Sequence, residues 1–261
     1  MIEKPKIFDL VLNNAYMLND RMRHLEFKLL NHAEKFQHIP GQFISLLFEH
    51  NSELIRRNFS IASSPNNSNL IEIAVTHVVN GFASTKLHNM QLGATIKGSG
   101  PFGIFLINQE NNIPIKRYIL VATGTGVTPY RAMLPTISDL INNHNIEFLV
   151  LLGVRNKLEA LYAKDFIEFQ KQHSNNFKFI LCYSRENSIP IDLDLSINIS
   201  SGVYECQGYV QNKLDQLNIN SNDDIIYLCG NPNMVDESLT ILEKYNLPRN
   251  RIKREKYIST K

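Results

Sequence analysis

The stretch YILVATGTGVTPYRAML, residues 118–134, constrains this chain more than any other. Its apolar run from Tyr118 to Ala122 has the composition of a strand buried on both faces. The run passes into Thr123-Gly124-Thr125-Gly126-Val127-Thr128-Pro129, and behind it Met133, Leu134, Ile137, Leu140 and Ile141 recur at helical spacing. A glycine-rich turn between a buried strand and a helix N-terminus suits a pyrophosphate. Amides and the helix dipole face the anion, and the glycines allow close approach. Pro129 fits a first helical turn, where its missing N–H costs nothing; Pro135 lies deeper and should kink the helix. Pro129 also stands where G-x-G-x-x-G has its third glycine, so a purely structural turn stays open beside the phosphate cradle.

The rest of the chain sorts into two patterns around this stretch. Up to about Leu106 the runs are short and β-like: Ile7 to Leu12, His24 to Leu30, Phe43 to Phe48, Asn58 to Ala62 and Leu70 to Val79. Asn19-Asp20, Pro40-Gly41, Pro65-Asn66-Asn67 and Asn80-Gly81 separate them, and one short helix interrupts near Phe82 to Met90. That spacing predicts a small antiparallel β-barrel. After a polar linker near residues 108–116, strands alternate with helices. Ile146 to Val154, Phe177 to Tyr183, Asp224 to Cys229 and Ile252 to Tyr257 read as strands. Leu158 to Phe169, a run through Val210, Leu214 and Leu217, and another through Val235, Leu239, Leu242 and Tyr245 read as helices. Such alternation predicts a doubly wound α/β parallel sheet. The expected fold class is therefore two domains, a barrel over residues 1–110 and an α/β nucleotide fold over residues 111–261.

Composition excludes several function classes. With 43% hydrophobic and 20% charged residues the chain reads as globular, and a net charge of +2 is too mild to argue for nucleic acid. No run reaches the length of a membrane span, and MIEKPKIFDLVL lacks a signal-peptide pattern. Cys182, Cys206 and Cys229 are widely spaced and too few to hold an iron–sulfur cluster, so a cytoplasmic setting is expected. The histidines lack ligand spacing and no metal is expected.

Two motifs of the barrel carry polar chemistry. In Arg57-Asn58-Phe59-Ser60-Ile61-Ala62-Ser63-Ser64, alternate positions put the Phe59 ring and the Arg57 guanidinium on one strand face. An aromatic platform beside a guanidinium suits a ring-bearing diphosphate; an ordinary exposed strand end has the same sequence. Gly81-Phe82-Ala83-Ser84 reads either as a helix start facing an anion or as a serine-capped short helix.

Taken together, Arg57-x-Phe59-Ser60-x-x-Ser63, Gly81-x-x-Ser84-x-x-Leu87, Gly100-Pro-Phe-Gly103, Gly124-Thr-Gly126-Val-Thr-Pro129 and Cys229-Gly-Asn-Pro232 occur in that order. The set resembles the ferredoxin–NADP⁺ reductases over nearly the whole chain. The resemblance implies FAD on the barrel, NADP(H) on the α/β domain, and ferredoxin or flavodoxin as the electron partner. It implies FAD contacts at Arg57, Asn58, Phe59, Ser60, Ile61, Gly81, Phe82, Ala83 and Ser84. Phe59 stands where the family has a flavin-stacking tyrosine, so the ring is kept and its hydroxyl is lost. Thr123, Gly124, Thr125 and Gly126 would hold the pyrophosphate, and Tyr209 would stack on adenine. Ser60, Cys229, Glu255 and Tyr257 are the implied catalytic residues, with Tyr257 over the flavin. Four residues follow Tyr257, where the plant-type members end at a tyrosine. A small buried thiol is the alternative for Cys229, and an edge-strand tyrosine that for Tyr257.

The choice of nucleotide follows from charge. NAD sites usually put a carboxylate at the adenosine ribose, whereas a 2′-phosphate needs cations and hydroxyls. Here the second and third α/β strands run into Arg155 and into Ser184-Arg185, which favours NADP; Glu159 and Glu186 could also pair these arginines. Ile189, Ile191, Leu193, Leu195, Ile197 and Ile199 alternate strictly and predict a half-buried strand in an inserted ribbon. The sequence thus reads as a monomeric NADPH:ferredoxin or flavodoxin oxidoreductase. An NAD(P)H-dependent flavin reductase or oxygenase-reductase component of the same architecture is the other reading.

Overall fold

The computed structural model describes residues 7–31, 35–65, 70–107, 114–195 and 202–257. It divides into two compact units, one of Met1–Ile107 with Thr128–Met133, the other of Asn108–Val127 and Leu134–Ile258.

The first unit is a six-stranded antiparallel sheet with one short helix. Its elements are β1 (Ile7–Asn19), β2 (Met22–Leu29), β3 (Phe43–His50), β4 (Glu53–Ser60), β5 (Leu70–Thr76), α1 (Phe82–His88) and β6 (Thr95–Phe102). Strand order is β4-β3-β6-β1-β2-β5, and a bridge between Ile61 and Ile73 closes the last gap into the expected barrel. Alternate residues point inward, as the pleat requires. Leu10, Leu12, Leu25, Phe27, Ile44, Leu46, Phe48, Ile71 and Ile73 fill the interior. The sequence pattern missed β6, whose Thr-Ile-Lys-Gly-Ser-Gly-Pro-Phe composition does not look like a strand. Packing explains one glycine: a Cβ on Gly98 would lie 2.9 Å from the Phe8 ring and 3.0 Å from Leu10.

The second unit is a parallel sheet flanked by helices. In chain order it has β7 (Arg117–Thr123), α2 (Thr128–His144, whose first residues to Met133 count with the first unit), β8 (Glu147–Val154), α3 (Ala163–Gln172), β9 (Phe177–Tyr183), β10 (Tyr204–Gln207), β11 (Asp224–Gly230), α4 (Pro232–Glu243) and β12 (Ile252–Lys256). The sheet order is β10-β9-β8-β7-β11-β12, so the chain winds one way from β7 and then returns to its other side. β7 and β11 therefore flank the point where strand order reverses, the usual ligand crevice of an open α/β sheet. Both are buried on both faces, as their unbroken apolar runs require.

Four expectations change here. α2 runs unbroken through Pro135, which sits on an exposed face where water can serve the carbonyl its missing N–H leaves open. The helix expected from Leu158 starts only at Ala163: Tyr162 takes a left-handed backbone (φ 54°) just before it, and Leu158 is 82% exposed in a separate 3₁₀ turn. The Val210–Leu217 helix is likewise 3₁₀, and Tyr245 lies beyond the end of α4. Residues 189–195 form no strand. Leu193 and Leu195 pack on the core, but the backbone serves side chains instead of a ladder: Lys213 bonds the Ile191 carbonyl and Gln216 accepts from the Leu193 amide. The strand at that place in the chain is β10, four residues pairing with β9. The remaining ribbon positions, Ile197 and Ile199, lie outside the described residues, as do Asn66, Asn67, most of the linker and the last four residues.

Candidate functional site

In the first unit the candidate residues gather at the end of β4 and the start of α1. Along β4, Ile55, Arg57 and Phe59 are half-buried while Arg56 and Asn58 are exposed, so Arg57 and Phe59 share the face predicted from the sequence. Phe59 packs against the barrel core, as do Ile55 and Phe82, the first residue of α1. Among the described residues the Arg57 guanidinium bonds the neighbouring Arg56 carbonyl (2.9 Å) and has no carboxylate partner. Asn58 accepts from the Ser45 hydroxyl at 2.7 Å, Ser60 is buried, and the Ile61 amide bonds the Gln42 carbonyl.

Gly81 is the N-cap of α1 without a capping side chain, so the Phe82, Ala83 and Ser84 amides open the helix with no intrahelical carbonyl to meet. The Ser84 hydroxyl turns back instead, to the Gly81 carbonyl (3.0 Å) and the Val78 amide (3.1 Å). It shapes the loop and leaves the amides as the anion donors. Ser63 is similarly absorbed, its hydroxyl donating to the Leu70 carbonyl. A guanidinium without a carboxylate partner among the described residues, three helix-start amides and a half-buried ring fit a flavin diphosphate.

In the second unit every candidate lies at the carboxyl end of a strand. β7 ends at Thr123, a 3₁₀ turn follows from Gly124 to Val127, and α2 begins at Thr128. This turn packs against the end of β11 so closely that side chains are excluded. A Cβ on Gly126 would lie 2.2 Å from the Cys229 carbonyl oxygen; one on Gly230, at φ 130°, would lie 2.5 Å from Thr123 Oγ1. Thr123 Oγ1 also accepts from the Asn231 amide at 2.9 Å. At the head of α2, Thr128 Oγ1 is buried without a hydrogen-bond partner. A buried orphan hydroxyl costs about 1–3 kcal/mol, and an anion seated on the loop would relieve it. Sequence reading included Thr128 and Gly230 only inside motifs and singled out neither as a site residue, although Thr128 stands directly before the helix-opening proline.

Three neighbouring strands end at one level. Val154 pairs with Tyr183 and Tyr183 with Gln207, so Arg155, Ser184-Arg185 and Gly208-Tyr209 leave the sheet side by side. The Arg185 amide bonds the Arg155 carbonyl at 2.9 Å, and the Ser184 amide bonds the Val154 carbonyl at 2.9 Å. Tyr209 is 62% exposed, its ring free to act as a platform. The two arginines differ. Arg155 is ion-paired with Glu159, whose hydrogen bond and charge hold the guanidinium pKa up; Arg185 has no ion-pair partner among the described residues.

On the other side of the crevice, Cys229 pairs with Glu255 in register and the Tyr257 amide bonds the Gly230 carbonyl at 2.8 Å. Burial pushes the Glu255 carboxyl up to about 7. Burial and then the Glu255 charge push the Cys229 thiol up, against a hydrogen bond with the Tyr257 side chain that favours its thiolate. Cys229, Glu255 and Tyr257 are thus one cluster, in which the Glu255 carboxyl can hold a proton near neutrality. Among the described residues no group of three His, Cys, Asp or Glu is placed to hold a metal ion.

Comparison with known proteins agrees with this division of labour. Residues 9–107 match the oxidoreductase FAD-binding domain family and residues 120–239 the oxidoreductase NAD-binding domain family. Ferredoxin–NADP reductase B of Sorangium cellulosum is 32% identical over 168 residues, 64% of this chain and 66% of that protein. The flavodoxin/ferredoxin–NADP reductase of Buchnera aphidicola (subsp. Schizaphis graminum) is 29% identical over 88% of this chain and 89% of that one. Among solved structures, a ferredoxin NADP⁺ reductase from Neisseria gonorrhoeae with bound FAD and NADP superposes with a TM-score of 0.76. It is 19% identical, over 97% of this chain and 99% of that one, and speaks for the fold alone. Reductase components of oxygenases are further relatives; the chain spans 58% of the propane 2-monooxygenase reductase of Mycolicibacterium goodii, at 25% identity. No helix among the described residues is long and apolar enough to cross a membrane.

Proposed function

From the fact that this chain belongs to the ferredoxin–NADP reductase family, with an FAD-binding and an NAD-binding domain, we propose that it is an NADPH:ferredoxin or flavodoxin oxidoreductase. FAD, when bound, supplies the conversion between a hydride, carrying two electrons, and single electrons. The chain's own residues bind, orient and manage protons. Arg57 and the α1 amides hold the FAD diphosphate, Phe59 supports the ring system, and Ser60 is the buried hydroxyl beside it. The Thr123–Gly126 loop with Thr128 holds the nucleotide pyrophosphate. Tyr209 stacks on adenine, and Ser184, Arg185 and Arg155 bind the 2′-phosphate. Cys229 and Tyr257 seat the nicotinamide end, while Glu255 stores a proton.

The FAD-binding domain is taken as residues 1–110 and the NADP-binding domain as 111–261. Three free thiols suit a reducing cytoplasm, and the enzyme is read as a monomer. Membership in a family that also contains oxygenase reductases supports a second reading with an oxygenase as acceptor. Turnover with a panel of ferredoxins, flavodoxins and free flavins separates the two.

One observation carries the nucleotide assignment: adjacent strand ends present Arg155, Ser184 and Arg185, and of the two cations only the first has an ion-pair partner among the described residues. Arg185→Ala should raise the KM for NADPH about tenfold or more, the scale of losing a charge-assisted hydrogen bond. The KM for NADH should hardly move, because the lost contact is to a group NADH lacks. Arg155→Ala should have the smaller effect, since Glu159 already shares its guanidinium. Equal losses for NADPH and NADH would assign the arginines another role.

A further inference from the structure

The cluster that the proposed reaction leaves unused is a pair of thiols. Cys182 on β9 and Cys206 on β10 are directly paired across neighbouring parallel strands, both fully buried, with Sγ atoms 3.3 Å apart. Paired residues of adjacent strands sit about 4.8 Å apart, inside the Cα range that disulfides tolerate. The third cysteine, Cys229, lies on β11, with β8 and β7 between it and this pair, and cannot reach either.

Beside the pair is a buried cation. Lys213, 4% exposed, spends one proton on the Ile191 carbonyl and has no carboxylate partner among the described residues. As a thiol Cys206 donates toward the Cys182 sulfur; as a thiolate it would accept from Cys182 and feel this ammonium, and these two effects outweigh its burial and hold it below its ordinary value, while Cys182 is held above it. One sulfur is thus prepared to react and the other to follow it.

We infer that Cys182 and Cys206 form a reversible disulfide under peroxide, and that this modification weakens nucleotide binding at the ends of β9 and β10. The Cys206 thiolate attacks one peroxide oxygen and the O–O bond breaks. The departing hydroxide takes a proton to give water and leaves Cys206 as a sulfenic acid. Cys182 sulfur then displaces hydroxide from the Cys206 sulfur, and that hydroxide takes the Cys182 proton as a second water. Two electrons pass from the thiols to the peroxide, and a dithiol reverses the change.

Access and consequence both follow from β10. It is a four-residue strand at the sheet edge whose ladder runs to β9 alone among the described residues, with one further backbone bond from the Gln207 amide to the Pro190 carbonyl, so it belongs to the part of the sheet that opens at least cost. A small neutral peroxide can enter when it does. Bridging must draw the sulfurs from 3.3 Å to about 2.0 Å. That movement shifts the strands that continue into Ser184-Arg185 and Gly208-Tyr209. This consequence rests on the NADP assignment above; the bridge itself does not.

The test uses the FAD-loaded protein. After mild peroxide treatment, alkylation and proteolysis, mass spectrometry should find one bridged peptide pair joining Cys182 to Cys206, with Cys229 still alkylated once the chain is denatured. The KM for NADPH should rise about fivefold or more, the lower end of coupling between linked sites, and dithiothreitol should restore it. Saturating NADP⁺ should slow bridging by the same linkage. Cys206→Ala and Cys182→Ala should each keep their NADPH KM through peroxide treatment, and Lys213→Met should bridge more slowly. Failure of the wild-type pair to bridge while Cys229 oxidises, or while all three thiols persist, overturns the proposal. A bridge that leaves NADPH KM unchanged overturns the link to nucleotide binding. Protein that bridges but never turns over NADPH would count against the proposed function and not against the disulfide.

Discussion

Glu255 shows how a single side chain ties fold to pH. Burial raises its carboxyl from 4.5 to about 7. Between those values the folded chain holds a proton that the unfolded chain has lost, so stability falls as pH rises through that window. At about 1.4 kcal/mol per unit, the loss is at most roughly 3.5 kcal/mol. Glu255→Gln carries no titrating proton at that position. Its melting temperature should therefore decline less between pH 5 and pH 8 than that of the parent chain, measured on both proteins in matched buffers. An unchanged pH slope would show that Glu255 is solvated and of ordinary acidity. The neighbouring Cys229 is the opposite case, a thiol so buried that it stays protonated across the same range.

At the scale of elements, the two crossing loops behind β7 and β11 decide the crevice. Gly126 cannot carry a side chain, because the obstacle at 2.2 Å is backbone and not a flexible side-chain tip. Gly126→Ala should lower stability by several kcal/mol, in the range of severe overpacking, or displace the loop and abolish nucleotide binding with the flavin retained. A variant that melts and binds NADPH like the parent would contradict the close packing of these turns. This strand–loop–helix was legible in the sequence because its signals are local: an apolar run, glycines, and a proline at the helix start. β6 and β10 were not, since Gly98 is explained only by Phe8 and Leu10 across the barrel, and β10 is too short for a period to show. The strict alternation at residues 189–195 matched burial only in part, since Ile189, Leu193 and Leu195 are half-buried but Ile191 is 67% exposed, and the backbone pairing it implied is absent there. In the candidate site, the positions at strand ends and helix starts were readable but the side chains' partners were not. That Glu159 takes Arg155, that Ser84 turns inward and that Thr128 is left an orphan are tertiary facts.

Across the whole molecule, a barrel with an anion-ready arginine and a parallel sheet with a cationic strand edge make an FAD unit and an NADP unit in one chain. The order of motifs carried that architecture in the sequence, since two domain families follow each other over residues 9–107 and 120–239. The central claim is that electrons enter from NADPH onto FAD held by this chain. It is tested most directly by anaerobic stopped-flow mixing of the purified, FAD-loaded protein with equimolar NADPH or NADH, following the flavin absorbance near 450 nm. The account predicts rapid bleaching by NADPH, much slower bleaching by NADH at the same concentration, and recovery of the colour when oxidised ferredoxin or flavodoxin is added. Protein that takes up no FAD, or whose flavin stays oxidised in the presence of NADPH, would contradict it.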